Sequence, residues 1–323
     1  MTSRFLDANG LRMHVLEAGQ GPLVILAHGF PETSHSWRHQ LSALSAAGFR
    51  AVAPDMRGFG QTEAPADVER YTVLDLVGDL VGLLDALDEP SAIVVGNDWG
   101  STVAWQAALM RPDRFRAVAA VGVPMMANPP LPPTRIFPRT EDAEHYTLYF
   151  QDVGRAEEEL ERDVGATLRK VLFGASRDAG LRREGDDTPN PFGMVAKRDG
   201  FLAPLPEPAT LPHWLSEEDL DIFVQAFRTS GFRGGLNYYR NLDRNWHLQR
   251  SLAGRKAEVP ALYLTGEQDP GLSIPGMKEL IAAMPALVPN LVPPVFIPDC
   301  GHWAPQEKPG EVSRALVDFA RSL

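Results

Sequence analysis

Asp98 lies at the centre of the segment Gly96-Asn97-Asp98-Trp99-Gly100, which follows an apolar run and precedes a helical pattern. Small residues two positions before and after a central residue allow a sharp strand-to-helix turn, a nucleophile elbow, that exposes the central side chain. The helix N-terminus behind this turn favours a negative charge, so we expect an ionised, nucleophilic carboxylate. An Asp in a Gly-rich turn is also a common helix N-cap, and the segment alone leaves both interpretations open.

A second segment, His-Gly-Phe-Pro at residues 28–31, ends the earlier apolar run Leu23–Ala27. Beside an elbow, such a loop supplies one backbone N–H of an oxyanion hole, and the residue after the nucleophile supplies the other. We therefore expect the N–H groups of Phe30 and Trp99 to hold a developing negative charge. A strand end that carries Gly and Pro is otherwise only a turn.

A carboxylate nucleophile of this kind needs a base, and the base needs a group that orients it. His302 is the one of eight histidines that follows a late apolar run, and Asp269 lies just past the run Ala261–Thr265. An Asp before Pro-Gly commonly forms a turn, and a lone His is usually structural. The order nucleophile, acid, base at successive predicted strand ends nevertheless favours a triad of Asp98, Asp269 and His302.

Two other patterns carry no predicted site. His35 and His39 are four residues apart but lack the Glu of the metalloprotease pattern, so we expect them on a solvated helix face. The glycines of Arg57-Gly58-Phe59-Gly60 form no phosphate-binding motif. The sequence therefore predicts neither a metal ion nor a cofactor.

The elements that must position these residues alternate between strands and helices, which predicts an α/β fold with a mostly parallel sheet. After a hairpin at Arg4–Glu17 around Asn9-Gly10, the predicted strands are Leu23–Ala27, Ala51–Pro54, Ala92–Val95, Ala117–Val123, Ala261–Thr265 and Val295–Ile297. The predicted helices of this part are Ser36–Ala47, Tyr71–Leu87, Thr102–Met110, Pro275–Met284 and Glu311–Leu323.

The alternation stops at Met125 and resumes after Arg250. Between them we expect helices at Ala156–Leu172 and Glu217–Phe227, with a stretch rich in Pro, Gly and charge at Arg182–Pro212. The sequence thus predicts a core of residues 1–124 and 253–323, interrupted by a helical cap of residues 125–252. Such an insertion can roof the strand ends, where open α/β sheets bind ligands.

Composition limits the partners. The 323 residues carry a net charge of −11 with no basic stripe, which argues against nucleic acid. The N-terminus has no signal-peptide pattern, no apolar stretch is long enough to span a membrane, and the only cysteine is Cys300. We expect a cytoplasmic protein.

The chain resembles the epoxide hydrolases of the α/β-hydrolase superfamily, and is similar to the hydrolase domain of the soluble epoxide hydrolases. The matching segments span nearly the whole chain: HGFPETSHSWRHQL, PDMRGFGQT, GNDWGSTVAW, HYTLYFQ, GFRGGLNYYRNL, GEQD and DCGHW. The resemblance implies an α/β-hydrolase fold with a mostly parallel eight-stranded sheet and an inserted helical cap. It also implies that a small-molecule epoxide becomes a vicinal diol without a cofactor, through an alkyl ester on Asp98. We expect a monomer or homodimer.

Two tyrosines of the cap hold and protonate the epoxide oxygen in that family. The segment HYTLYFQ places the first at Tyr146, and LNYYRN places the second at Tyr239. We assign their neighbours Tyr149 and Tyr238 to packing. The residue pattern by itself does not choose among the four, because tyrosines of a helical cap usually serve packing or face solvent.

Two residues depart from the family pattern. Asn97 precedes the nucleophile where the family often has His, and Ser101 stands where it usually has Gly. Ser101 also occurs in haloalkane dehalogenases, but these usually bind halide with an Asn or an additional Trp, and Phe30 stands at that Asn position. Fluoroacetate dehalogenases differ over residues 98–102. A haloalkane or haloacid dehalogenase, or a non-catalytic ligand-binding protein, remains the alternative.

Overall fold

The computed structural model describes residues 1–180 and 192–323. Part of the predicted stretch Arg182–Pro212, residues 182–191, therefore lies outside the described residues. None of the helices in the described ranges is long and apolar enough to cross a lipid bilayer.

The strands form one large sheet and one small ribbon. They are β1 Thr2–Ala8, β2 Leu11–Ala18, β3 Leu23–Ala27, β4 Arg50–Pro54, β5 Ala92–Asn97, β6 Phe115–Val121, β7 Ala143–His145, β8 Met194–Ala196, β9 Ala261–Gly266 and β10 Val295–Ile297. The sheet has eight strands in the order β1-β2-β4-β3-β5-β6-β9-β10. Among the described residues, β2 pairs antiparallel with both β1 and β4, and the other pairs of this sheet are parallel. Strands β7 and β8 pair separately as an antiparallel ribbon.

The α-helices of the described residues lie mostly between the strands in sequence. They are α1 Arg38–Ala46, α2 Val73–Ala86, α3 Trp99–Met110, α4 Pro133–Ile136, α5 Tyr146–Tyr149, α6 Arg155–Arg162, α7 Val164–Gly174, α8 Glu217–Ser230, α9 Arg233–Arg240, α10 Leu242–Leu248, α11 Met277–Ala283, α12 Ala304–Glu307 and α13 Pro309–Arg321. Helices α4 to α10 and the β7–β8 ribbon fall between β6 and β9, which are neighbours in the sheet.

The sheet is buried on both faces, which explains why its central strands are apolar without alternation. In β3, Leu23 and Ile25 belong to one hydrophobic cluster, whereas Val24 and Leu26 belong to the cluster on the opposite face. All four side chains are almost fully excluded from solvent. The predicted parallel α/β sheet is confirmed.

Local signals fix some element ends and explain the differences from the prediction. The hairpin turns at Asn9 and Gly10, both with positive φ, as expected of Asn-Gly. The single helix expected over Ala156–Leu172 is two helices, because Asp163 is extended and its side chain accepts the N–H of Ala166 as an N-cap. The short β7–β8 ribbon was not predicted, since three-residue strands carry little periodicity.

Strand register brings the candidate site residues to one edge of the sheet. Ala27 at the end of β3 is paired with Gly96 of β5, so the loop after β3 runs beside the elbow. Ile297 at the end of β10 is paired with Gly266 at the end of β9. The loops that carry Asp269 and His302 therefore begin side by side.

Candidate active site

Asp98 occupies a strained turn between β5 and α3, with φ of 53° and ψ of −118°. Positive φ is uncommon for a residue other than glycine and costs energy that the surroundings must supply. A Cβ atom on Gly96 would lie 2.1 Å from the carbonyl carbon of Gly100, and one on Gly100 would lie 2.0 Å from the carbonyl oxygen of Ala27. The turn therefore requires glycine at both positions. Helix α3 begins at Trp99, three residues earlier than predicted.

The two carboxylate oxygens of Asp98 have different surroundings. Oδ1 accepts the backbone N–H of Phe30 at 2.8 Å. Oδ2 faces His302, whose Nε2 lies 3.5 Å away. An attack by Oδ2 would leave Oδ1 as the ester carbonyl oxygen, already held by a hydrogen-bond donor.

Trp99, the second expected oxyanion donor, is the first residue of α3. Its N–H has no intrahelical acceptor at this position, like the other N–H groups of a first helical turn. Among the described residues, no hydrogen bond joins this N–H to the Asp98 carboxylate. The Trp99 ring packs edge-on against Tyr239, with centroids 5.1 Å apart and planes at 89°.

His302 and Asp269 form a close pair. Nδ1 of His302 lies 2.9 Å from Oδ2 of Asp269, and the other carboxylate oxygen accepts the N–H of Gly271 at 2.7 Å. Asp269 thus serves both the turn and the histidine, although the sequence favoured the second role over the first. Because Nδ1 donates to the carboxylate, Nε2 of a neutral His302 is left as the proton acceptor, facing Asp98.

The charges around His302 determine its protonation. Burial by itself lowers the pKa of the imidazole, but the charge and hydrogen bond of Asp269, with a smaller contribution from Asp98, raise the pKa of His302 well above its ordinary value. The imidazolium is therefore favoured while both carboxylates are ionised.

The loop that carries His302 is anchored by Glu307, which the sequence analysis did not identify. The buried Glu307 carboxylate accepts the backbone N–H groups on both sides of His302 and that of Arg177, each at 2.9 Å. The N–H of His302 donates to the carbonyl of Ala175 at 3.0 Å. The loop that carries His302 is thus tied to residues 175–177, which lie between β6 and β9 in sequence. The only signal for this role in the sequence was the position of Glu307, an acid in the first turn of α12 and close after His302.

Tyr146 and Tyr239 face each other near Asp98. Tyr146 begins α5, Tyr239 lies in α9, and their ring centroids are 5.9 Å apart with planes at 75°. Burial raises the pKa of both phenols, and the negative charge of Asp98 raises it further. Both side chains therefore remain protonated hydrogen-bond donors at any ordinary pH.

The neighbouring tyrosines use their hydroxyl groups elsewhere. The Tyr149 hydroxyl donates to Oε2 of Glu159 at 2.7 Å, and the Tyr238 hydroxyl donates to the carbonyl of Arg57 at 3.0 Å. Both rings are buried. These contacts agree with the packing role that we expected for them.

Two cavities meet at Asp98, Tyr146 and Tyr239, which line both. One has a volume of about 270 Å³ and includes Trp105 and Met125 in its wall. The other has a volume of about 80 Å³, is rich in aromatic side chains, and includes Asp269 and His302 in its wall. The arrangement suits an uncharged apolar molecule whose reactive centre lies between the carboxylate and the phenols.

The two departures from the family pattern take part in buried contacts. Nδ2 of Asn97 donates to Oε2 of Glu32 at 2.9 Å. The Ser101 hydroxyl lies 2.8 Å from the carbonyl oxygen of Gly96 and 2.6 Å from that of Val121, and accepts the Val121 N–H at 3.0 Å. Ser101 thereby links α3 to the ends of β5 and β6.

The expectation that His35 lies on a solvated helix face is wrong. His35 precedes α1 and is partly buried, because its Nε2 contacts Oδ1 of Asp219 on α8 at 2.7 Å. His39 is exposed in α1. Within residues 1–180 and 192–323, no group of three His, Cys, Asp or Glu side chains is arranged to hold a metal ion.

Comparisons with known proteins agree on one family. The sequence model of the α/β hydrolase fold matches residues 22–309. The chain is 43% identical to epoxide hydrolase A of Mycobacterium tuberculosis, covering 100% of this chain and 98% of that protein. It is 39% identical to bifunctional epoxide hydrolase 2 of Sus scrofa over 96% of this chain but only 53% of the pig protein.

A solved structure gives the same result. The crystal structure of epoxide hydrolase A from Mycobacterium thermoresistibile is similar with a TM-score of 0.91 at 41% identity, covering 99% of this chain and 98% of that chain. Proteins that share only an architecture need not be similar in sequence, whereas here the match of fold is accompanied by 41% to 43% identity over nearly the whole chain. The chain therefore belongs to the α/β-hydrolase fold family and, within it, to the epoxide hydrolases.

Proposed function

We propose that the chain adds water to an epoxide to give a vicinal diol, through a covalent ester on Asp98. The observation that carries the proposal is the convergence of one carboxylate and two neutral phenols on the same cavity walls. A carboxylate can open the ring, and the phenols can stabilise the oxygen that leaves the attacked carbon. Neither the carboxylate without the phenols nor the phenols without the carboxylate would point to an epoxide as the substrate.

In the first step, Oδ2 of Asp98 attacks one ring carbon, and the bond between that carbon and the ring oxygen breaks. The opening oxygen becomes an alkoxide, which accepts hydrogen bonds from Tyr146 and Tyr239 and takes a proton from one of them. Their raised pKa keeps both phenols protonated until this moment. General-acid assistance of this kind is worth about 10²–10⁴-fold in rate.

In the second step, neutral His302 takes a proton from water, and the resulting hydroxide attacks the ester carbonyl. Negative charge develops on Oδ1, where the Phe30 N–H already donates and the Trp99 N–H is available. Loss of one such donor typically costs about 10²–10³-fold in rate. The intermediate then collapses and releases the diol, which carries away Oδ2 and takes its last proton from the carboxyl group formed on Asp98, while the oxygen of water stays on Asp98. The proton on His302 then returns through solvent to the ionised tyrosine, which restores the phenol.

We also propose that residues 125–252 act as a cap on a core of residues 1–124 and 253–323. Both tyrosines come from this region, whereas Asp98, Asp269 and His302 follow core strands. The cap would close the cavity over the nucleophile and exclude bulk water from the developing alkoxide.

Location and assembly form a separate proposal. The single cysteine, Cys300, is buried and forms no disulfide, as is usual in the cytoplasm. We propose a cytoplasmic monomer or homodimer. Light scattering after gel filtration of the full chain would give the number of subunits, and cell fractionation would test the location.

The function is tested by product analysis. The purified chain is incubated with an aryl epoxide and, separately, with a chloroalkane of similar size. Diol formation without chloride release supports the proposal. Chloride release that exceeds diol formation would favour a dehalogenase, and turnover of neither would favour a ligand-binding protein.

A further inference from the structure

The two phenols that face Asp98 are carried by separate elements, so something must fix the distance between those elements. Tyr146 begins the four-residue helix α5, and Tyr239 lies near the end of α9. A hydroxyl displaced by about 1 Å from its productive position can cost about 10²-fold in rate. The contact between the two elements is therefore part of the catalytic geometry.

Gln151 makes that contact with one side-chain amide. Its Nε2 donates to the carbonyl of Thr147 at 2.8 Å and to the carbonyl of Tyr239 at 3.0 Å. Thr147 is the residue directly after Tyr146, and Tyr239 is the partner phenol itself. Both hydrogens of a single NH₂ group thus bridge the backbones of the two tyrosine segments.

Arg240 makes the reciprocal contact. Its Nε donates to the carbonyl of Phe150 at 3.0 Å, and a bidentate pair with Glu157, at 2.7 Å for both contacts, holds the guanidinium in place. The Phe150 ring contacts both phenols, with its centroid 5.6 Å from that of Tyr146 and 5.1 Å from that of Tyr239. The side chain of Gln151 therefore binds the backbone of the Tyr239 segment, and the side chain of Arg240 binds the backbone of the Tyr146 segment.

We infer that Gln151 is a positioning residue that sets the separation and orientation of the Tyr146 and Tyr239 hydroxyls during ring opening. This inference rests on the proposed function. Gln151 acts through the tyrosines, so it serves ester formation and has no part in ester hydrolysis, which depends on His302 and Asp269. Arg240 is unsuitable for the test because its removal would leave the Glu157 carboxylate unpaired.

The test uses Gln151→Met, which keeps the length of the side chain and removes both donors. Rapid-quench mass spectrometry of the full chain measures ester formation and ester decay separately. We expect ester formation to slow by about 10- to 100-fold while ester decay keeps its rate. Gln225→Met, on an exposed position of α8, is the matched control and should leave both rates unchanged. If Gln151→Met does not fold, Gln151→Asn, which is one methylene too short to reach both carbonyls, carries the same expectations.

A double-mutant comparison separates positioning from general weakening of the fold. In a Tyr239→Phe background, Gln151→Met should slow ester formation by a smaller factor than in the unaltered chain. Three results would overturn the inference about Gln151 and leave the proposed function standing. They are an equal slowing of ester formation in both backgrounds, an equal loss of rate in ester formation and ester decay, and ester formation at the rate of the unaltered chain. If the unaltered chain makes no diol, the proposed function fails and the inference fails with it.

Discussion

Nε2 of His302 lies 3.5 Å from Oδ2 of Asp98, the carboxylate oxygen that the Phe30 N–H does not hold. In the proposed mechanism, the oxygen nearest His302 is the one that attacks, and the other becomes the ester carbonyl oxygen beside the Phe30 N–H. The proposed reaction then has two steps, an alkylation that needs no base and a hydrolysis that does.

Replacement of His302 by Gln should separate the two half-reactions. His302→Gln removes the proton acceptor at Nε2, so the ester should form and then persist. Intact-protein mass spectrometry after mixing with an epoxide should show an adduct of substrate mass, which decays rapidly in the unaltered chain. No adduct, under conditions where the unaltered chain turns over, would mean that His302 also serves alkylation.

The pH dependence of ester decay follows from the charges on His302. Its pKa is raised in the free enzyme by Asp269 and, to a smaller extent, by Asp98. Esterification neutralises Asp98 and removes that contribution, so the pKa should fall when the ester forms and the neutral base should become more populated. Ester decay should be fastest above the pKa of His302 in the ester and slow as the pH falls through it.

The measurement is the rate of ester decay against pH in rapid-quench experiments. Ester should accumulate at low pH, where protonated His302 cannot accept a proton from water. A decay rate that rises as the pH falls would contradict this assignment of the base.

Ester formation should not decline on the alkaline side through ionisation of the cap phenols. The pKa values of Tyr146 and Tyr239 lie above their ordinary value because of burial and the charge of Asp98. Both donors should remain protonated up to about pH 10, the ordinary pKa of tyrosine. A decrease in the rate of ester formation below that pH, with the chain still folded, would show that a phenol ionises early.

Removal of each cap hydroxyl should slow ring opening. Tyr146→Phe and Tyr239→Phe should each reduce the rate of ester formation, and the double variant should nearly abolish it. The two losses should not add as free energies, because both hydroxyls serve one oxygen. If the double variant opens the epoxide as fast as the unaltered chain does, the dehalogenase alternative is favoured.

The neighbouring tyrosines provide matched controls. Tyr149→Phe and Tyr238→Phe should change epoxide opening little, because their hydroxyls donate to Glu159 and Arg57. Each should instead lower the free energy of unfolding by about 1 kcal/mol, the usual net value of a hydrogen bond. Urea denaturation measures that change. A loss of ring opening without a loss of stability would reverse the assignment of roles.

The sequence predicted Asp98, Asp269 and His302 as a site because parallel strands end at one edge of a sheet. The same reasoning could not choose Tyr146 and Tyr239, since helices outside the sheet have no such common edge. Their choice needed the resemblance to a family.

Other features could not be predicted because they depend on backbone partners distant in sequence. Gln151 and Glu307 act on carbonyl or N–H groups whose position depends on the folded chain. His35 was misplaced for the same reason, since its partner Asp219 lies on a helix of the inserted region.

The central claim is a covalent ester on Asp98, and a single-turnover reaction in ¹⁸O-water tests it most directly. The chain is mixed in excess over an epoxide, digested, and the peptide that contains Asp98 is weighed along with the diol. The proposed mechanism predicts one ¹⁸O in Asp98 and none in the diol, since the diol carries away Oδ2 and water replaces it. An Asp98→Ala variant should make no diol. Label in the diol with none in Asp98 after one turnover would contradict the claim, because water would then have attacked the epoxide directly.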